Sequence, residues 1–209
     1  MATKEEKKKV IRQQIIDAAK VYSGNLAGRT FLYVYGKEFF EVSFPVENFL
    51  HLTGVASKTS AKDFYKIAKN GKLTLQQFYF DSRHIFSNAK KKLPCLIRLP
   101  ELTNTMVCVL KNLKTITIVY KLSVTNLEFT LGLVENIGSN GKKVNDLLLP
   151  MSLRVEDSSV EKSSDGEVVD FIFAKDASVK LYDTMLVEDK SKKIPESIHH
   201  LLKEEFYKE

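Results

Sequence analysis

The first apolar positions along the chain fall at helical spacing. Val10, Ile11, Ile15, Ala18, Ala19 and Tyr22 share one face, which predicts a helix from Thr3 to about Ser23. Thr3 and Glu6 stand where a capping box places its two partners. The stretch from Ser23 to Gly28 supplies the stop. Aromatic and β-branched runs at Thr30 to Tyr35 and Glu38 to Phe44, with Gly36-Lys37 between them, predict a hairpin. After Pro45 comes NFLHLTGV, Asn48 to Val55, whose start reads as a short helix and whose Gly54 marks its end. Ser60 to Lys69 is a second helical pattern, with Ser60 and Asp63 as a capping pair, Phe64, Ile67 and Ala68 inward, and Asn70-Gly71 as the stop. Leu73 to Phe80 has no clear period. Ser82 to about Lys91 predicts another helix, followed by an apolar segment, Leu93 to Leu102, that carries Pro94 and Pro100.

Beyond this point the period falls from 3.6 to 2. Strands are predicted at Thr105 to Leu110, Thr115 to Leu122, Leu127 to Val134, Asp146 to Val155, Val168 to Ala174 and Lys180 to Leu186. Turn signals lie at Lys111-Asn112, Thr125-Asn126, Ser139 to Gly141 and Ser163 to Gly166. Short links between consecutive strands imply antiparallel pairing. Pro195 to Tyr207 predicts a closing amphipathic helix with Ile198, Leu201, Leu202 and Phe206 inward. The expected class is α+β: N-terminal helices, then a meandering antiparallel sheet, then a C-terminal helix. The chain reads as one domain over 1–209, divided into an N-terminal helix (1–29), a core (30–155) and C-terminal strands and helix (156–209).

Composition narrows this picture. With 209 residues, 44% of them hydrophobic and 28% charged, the chain can bury a core. The net charge of +6 suits a polyanionic partner or plain solubility. Cys95 and Cys108 lie outside any CxxC among apolar neighbours, which predicts buried, reduced thiols. The first residues lack the apolar core of a secretory signal, and no apolar run reaches membrane-spanning length. The expected location is the cytoplasm.

The common motifs for nucleotide phosphates, zinc and serine nucleophiles are absent from the sequence, and no cofactor or metal is expected. Of four histidines, His199 and His200 read as surface or packing residues, and His84, beside Arg83, as a solvated helix position. His51 stands among Phe49, Leu50 and Leu52, so it is either a core histidine satisfied by backbone or a proton-transfer group. Thr53 and Asn48 either orient groups at that site or cap the local turn. Lys62, Lys66 and Lys69 recur along one helical face, either tracking a phosphate backbone or simply solvated. Tyr65, close to that face, either packs or stacks on a base. Lys7 to Lys9, and Lys90 to Lys92 with Arg83, add two further basic clusters.

NFLHLTGV, followed by SAKDFYKIAKNGKLTL, resembles the phage-type nuclease domains of the Barnase–EndoU–colicin–RelE superfamily, in its fourth group. Glu41-Val42, Phe64-Tyr65, Gly71-Lys72-Leu73 and Pro150 to Leu153 also match, over roughly Thr30 to Val155, which makes 30–155 the nuclease-like core. The resemblance implies helices before an antiparallel sheet and a metal-independent endoribonuclease, a toxin or a phage or mobile-element effector. Such enzymes activate a ribose 2′-hydroxyl against the adjacent phosphate, which needs a base, an acid and cations. By resemblance, His51 is the acid–base group, Lys62 or Arg83 stabilises the phosphate, and Tyr65, Thr53 and Ser152 position it. A second acid–base group is not supplied. Expected partners are RNA, tRNA among them, and an antitoxin or host defence protein, with no membrane. The competing reading is a non-catalytic phage protein that binds and inhibits a host defence system. A DNA-binding regulator ranks last, because no helix-turn-helix pattern stands out.

Overall fold

A computed structural model describes residues 3–114, 119–155 and 166–208. Helix α1 spans Lys4–Asn25 and starts on the expected capping box: the Glu6 amide donates to Thr3 Oγ1 (3.2 Å), and the Thr3 amide to Glu6 Oε2 (2.6 Å). Its buried residues include Ile11, Ile15, Ala18, Ala19 and Tyr22 of the apolar face read in the sequence, while Val10 is exposed. The hairpin follows as β1 (Arg29–Tyr35) and β2 (Glu38–Ser43), paired antiparallel. Next come a 3-10 turn at Val46–Asn48, α2 (Phe49–Thr53), α3 (Ala61–Lys69), α4 (Phe86–Ile97) and α5 (Glu101–Asn104). The strands β3 (Cys108–Lys114), β4 (Val119–Thr125), β5 (Phe129–Ile137), β6 (Lys143–Val155), β7 (Glu167–Val168), β8 (Phe171–Asp176) and β9 (Thr184–Glu188) complete the sheet. The α+β class is therefore as expected.

The strand order is β7-β3-β4-β5-β6-β2-β1-β8-β9. The pairs are antiparallel except for β2 with β6, joined in parallel at Val42 and Leu148. The sheet is thus mixed rather than a pure meander, because the early hairpin is inserted beside β6. It is also curled. β7 pairs with β3 and β8 with β1, yet only Val169 and Asp170 separate β7 from β8. The Val169 amide bonds Val107 O (2.9 Å) and the Asp170 amide bonds Val34 O (2.8 Å), so this short link draws distant strands together.

Strand β1 is buried on both faces. Phe31, Tyr33 and Tyr35 enter the main core under the helices, while Leu32 and Val34 join Phe171, Phe173, Tyr182, Ile198 and Leu202 in a smaller core. Tyr182 Oη donates to Glu41 Oε1 (2.6 Å), tying the C-terminal segment to β2.

Several boundaries differ from expectation. The turn at Lys111-Asn112 does not form. Asn112 does take the left-handed φ of 56° that such a turn would use, but inside β3. Asp81 Oδ1 accepts the amides of Arg83 (2.8 Å) and His84 (2.7 Å), a local turn that competes with helix and delays α4 to Phe86. Helix α4 then continues past Pro94, so the start of the expected apolar segment is helical. The stretch expected as one strand at Val168 to Ala174 is broken into β7 and β8. The last expected strand starts at Thr184 instead of Lys180. Pro195 to Tyr207 forms two 3-10 helices, Glu196–Leu201 and Glu204–Phe206, instead of one α-helix. Between them Leu202 is extended, because the Leu201 carbonyl and the Lys203 amide bond the backbone of Tyr182. Cys95 and Cys108 are unbridged and half-buried rather than fully buried. Residues 115–118 of one expected strand, and 163–165 of one expected turn, lie outside the described residues.

Candidate active site

The NFLHLTGV segment folds as the 3-10 turn into α2, ending at Gly54 with φ 75°. Phe49, Leu52 and Thr53 share the inward face, at i, i+3 and i+4. Phe49 packs edge-on to Tyr22 and Tyr65, each at 5.4 Å between ring centroids. His51 falls on the opposite face and is exposed. The alternative of a core histidine therefore does not hold: the helix turns the apolar neighbours inward and the imidazole outward. Thr53 is fully buried. Its hydroxyl donates to Leu50 O (2.6 Å) and accepts from the Val55 amide (3.3 Å), so it closes the turn that presents His51.

Asn48 joins this segment to the second motif. Its Nδ2 donates to Pro150 O at 2.7 Å, across 102 residues of chain. Pro150 and Ser152 face Leu133 and Gly132 across a register shift, which leaves Met151 as the extra residue of a β-bulge. Ser152 is half-buried on β6, and two residues on, along the same strand face, stands Arg154.

Helix α4 meets both parts. It packs against α2 and against β6. A Cβ on Gly54 would lie 3.1 Å from Lys92 Cδ and 3.5 Å from Ala89 Cα, so the glycine lets the two helices approach. Burial, and secondarily the Arg154 guanidinium, hold the Lys92 ammonium below the ordinary lysine range. Asn88, Lys91, Lys92 and Arg154 line a cavity of about 150 Å³ together with Leu153 and Val155. Three cationic side chains and a carboxamide thus stand around one small space.

The other expected residues lie outside this cavity. Lys62 is exposed at the start of α3, and Arg83 is exposed in the turn before α4; neither lines the Lys92–Arg154 cavity. Tyr65 is buried against Tyr22 and Phe49. The structure thus brings His51 and Thr53 onto one short turn, and puts that turn on β6 with Ser152. Sequence reasoning missed Lys92, seen only as part of a lysine run, and Arg154. The signal for Arg154 was its place directly after the Pro150 to Leu153 motif. His199 stacks on Tyr207, with ring centroids 4.0 Å apart, as a packing residue. Among the described residues, no three His, Cys, Asp or Glu side chains gather as metal ligands, and no helix is long and apolar enough to cross a membrane.

An exposed imidazole thus stands on a short helix that packs against the walls of a cationic cavity, within an α+β fold. The chain belongs to the family described as phage-Barnase-EndoU-ColicinE5/D-RelE like nuclease 4, whose model matches residues 14–191. That span takes in most of α1 and every strand through β9, more than the Thr30 to Val155 on which the resemblance was read. No curated protein and no solved structure matches the chain. Family membership supports nuclease function, with nucleic acid as the substrate.

Proposed function

We propose that the protein is a metal-independent endoribonuclease, acting as a toxin or as a phage or mobile-element effector. The observation that carries this reading is the junction of the NFLHLTGV turn with the Pro150 to Leu153 segment of β6. Asn48 fixes the His51 turn to β6, and Gly54 of the same turn seats Lys92 beside Arg154. Gly54 follows His51 by three residues, and in this proposal one phosphodiester engages both elements.

In this mechanism the 2′-oxygen attacks phosphorus and its proton passes to His51. The P–O5′ bond breaks, and the departing 5′-oxygen takes a proton from the Lys92 ammonium. Burial weakens that ammonium's hold on its proton, which suits it to the second acid–base role. Arg154 holds the non-bridging oxygens as charge builds on them. Products carry a 2′,3′-cyclic phosphate and a 5′-hydroxyl.

The test is incubation with total RNA and tRNA in EDTA, with end groups analysed. His51→Ala and Lys92→Ala should each lower the cleavage rate by roughly 10²-fold or more. Full activity in His51→Ala would refute the mechanism. A stable, salt-sensitive RNA complex with no turnover would replace it with a non-catalytic binding protein, of the kind that inhibits a host defence system.

A further inference from the structure

A second basic site lies at the start of α1, outside the residues assigned above. Lys4, Lys7 and Lys8 face Tyr79, Phe80 and Phe86 across a groove of about 380 Å³. The aromatic side is built in layers. Phe78 is fully buried beneath the groove, Phe80 meets it edge-on at 6.1 Å, and Phe86 meets Phe80 edge-on at 5.4 Å. Tyr79, 38% exposed, leaves part of its ring open to solvent. Lys8 Nζ sits 4.9 Å from the Phe78 ring centroid.

The charge arrangement runs against what helix α1 prefers. The positive end of a helix dipole disfavours cations, yet the lysines crowd this end, and the last turn carries no basic residue. The nearby carboxylates are already engaged. Glu6 caps the helix, Glu5 pairs with Lys9 (3.0 Å), and Asp81 accepts from Arg83 and His84. Lys4, Lys7, Lys8, Lys9 and Arg83 still outnumber Glu5, Glu6 and Asp81, so the groove is positive beside exposed ring surface, the combination that holds single-stranded nucleic acid. Phe86 lines the groove and Asn88, two residues on, lines the Lys92–Arg154 cavity, so the two sites lie on opposite faces of the start of α4.

We propose that this groove binds an unpaired stretch of the RNA substrate, with a base stacked on the aromatic side and phosphates on Lys4 and Lys7. The choice of RNA rests on the nuclease reading above. A duplex keeps its base faces stacked internally and cannot use such a platform, so the groove selects unpaired segments.

The test measures anisotropy of a fluorescent 2′-O-methyl oligouridine of about 12 nucleotides, which binds without being cleaved by 2′-attack. Tyr79→Ala should weaken it about fivefold or more, while a 2′-O-methyl duplex of equal length changes less than about twofold. Lys4→Gln with Lys7→Gln, both at exposed positions, should reduce the slope of log affinity against log salt by about 1.4. Failure of the wild type to bind the oligonucleotide, unchanged binding in Tyr79→Ala, or equal losses on single strand and duplex would each overturn the proposal. If no RNA is cleaved yet binding depends on Tyr79, the groove stands and the nuclease reading falls. If RNA is cleaved but Tyr79→Ala binds normally, the reverse holds.

Discussion

Replacing Gly54 with alanine perturbs the protein in two separable ways. The first is conformational. Gly54 has φ 75°, and a Cβ in the left-handed region costs about 1–2 kcal/mol. The second is steric, because the new Cβ would lie 3.1 Å from Lys92 Cδ, inside the 3.4–4 Å of ordinary contact. Lys92 must then leave its preferred rotamer, at about 0.5–1.5 kcal/mol. Gly71 isolates the first cost: it has φ 71° and nothing within 4 Å of the position a Cβ would take. Gly71→Ala should therefore cost about 1–2 kcal/mol, and Gly54→Ala about 1.5–3.5 kcal/mol. For a chain of this size the latter lowers Tm by roughly 3–14 °C. Urea unfolding of both variants, alone and in a Lys92→Ala background, gives the comparison. The excess at Gly54 should disappear when Lys92 is truncated, since the two then no longer touch. Equal costs at both glycines, or an excess that survives Lys92→Ala, would show that Gly54 does not seat Lys92.

Thr53→Val keeps the shape but strands the Val55 amide and the Leu50 carbonyl; a loss of about 1–3 kcal/mol in urea unfolding is expected. Asn48→Ala removes the bond to Pro150, lowering stability by about 0.5–1.5 kcal/mol; RNA cleavage should fall with it if the junction positions His51. Lys92 gives a pH signature. Its folded pKa is lowered, by burial first and then by Arg154, so between the folded and unfolded values the unfolded chain holds more protons and stability rises with pH. Lys92→Met removes that rise, so its urea midpoint should gain most over wild type at neutral pH, and the gain should shrink as pH approaches the ordinary lysine value. Gly132→Ala would place a Cβ 2.9 Å from the Tyr120 ring inside the sheet, and a Tm drop is expected.

Local signals in the sequence carried well wherever the chain decides its own conformation. The Thr3–Glu6 box, the Ser60 cap, the Gly36-Lys37 hairpin and the Asn126 turn all depend on residues within a few positions of each other, and all form. Signals failed where distant chain intervenes. Ile198, Leu201, Leu202 and Phe206 have helical spacing, but Tyr182 recruits the backbone of Leu201 and Lys203, which a continuous α-helix would keep for itself. Asn112 carries a turn residue's dihedral, yet β4 pairs with β3 on both sides of it. The parallel contact of β2 with β6 has no local signature, since it joins segments about a hundred residues apart. For the same reason the cationic cavity was not legible. Lys92 and Arg154 become neighbours only once α4 lies across β6.

The NFLHLTGV segment draws attention by composition to its histidine, but most of it is anchored in the fold around that histidine. Phe49 and Leu52 anchor the turn in the main core, Thr53 closes it, Asn48 ties it to the bulge at Met151, and Gly54 admits Lys92. Of the eight residues, His51 alone is exposed. An exposed side chain on an ordinary surface turn would not need five separate attachments, because a merely solvated residue gains nothing from a fixed direction. A group that must meet a reacting oxygen does gain: small misplacements cost catalysis heavily. The fixed surroundings, as well as the identity of His51 itself, support the proposal that the imidazole acts on a substrate. The same argument ranks the other expected residues. Ser152 sits on the strand that the turn is tied to, whereas Lys62, on a helix that packs against α2, and Arg83 are both exposed and line no part of the Lys92–Arg154 cavity.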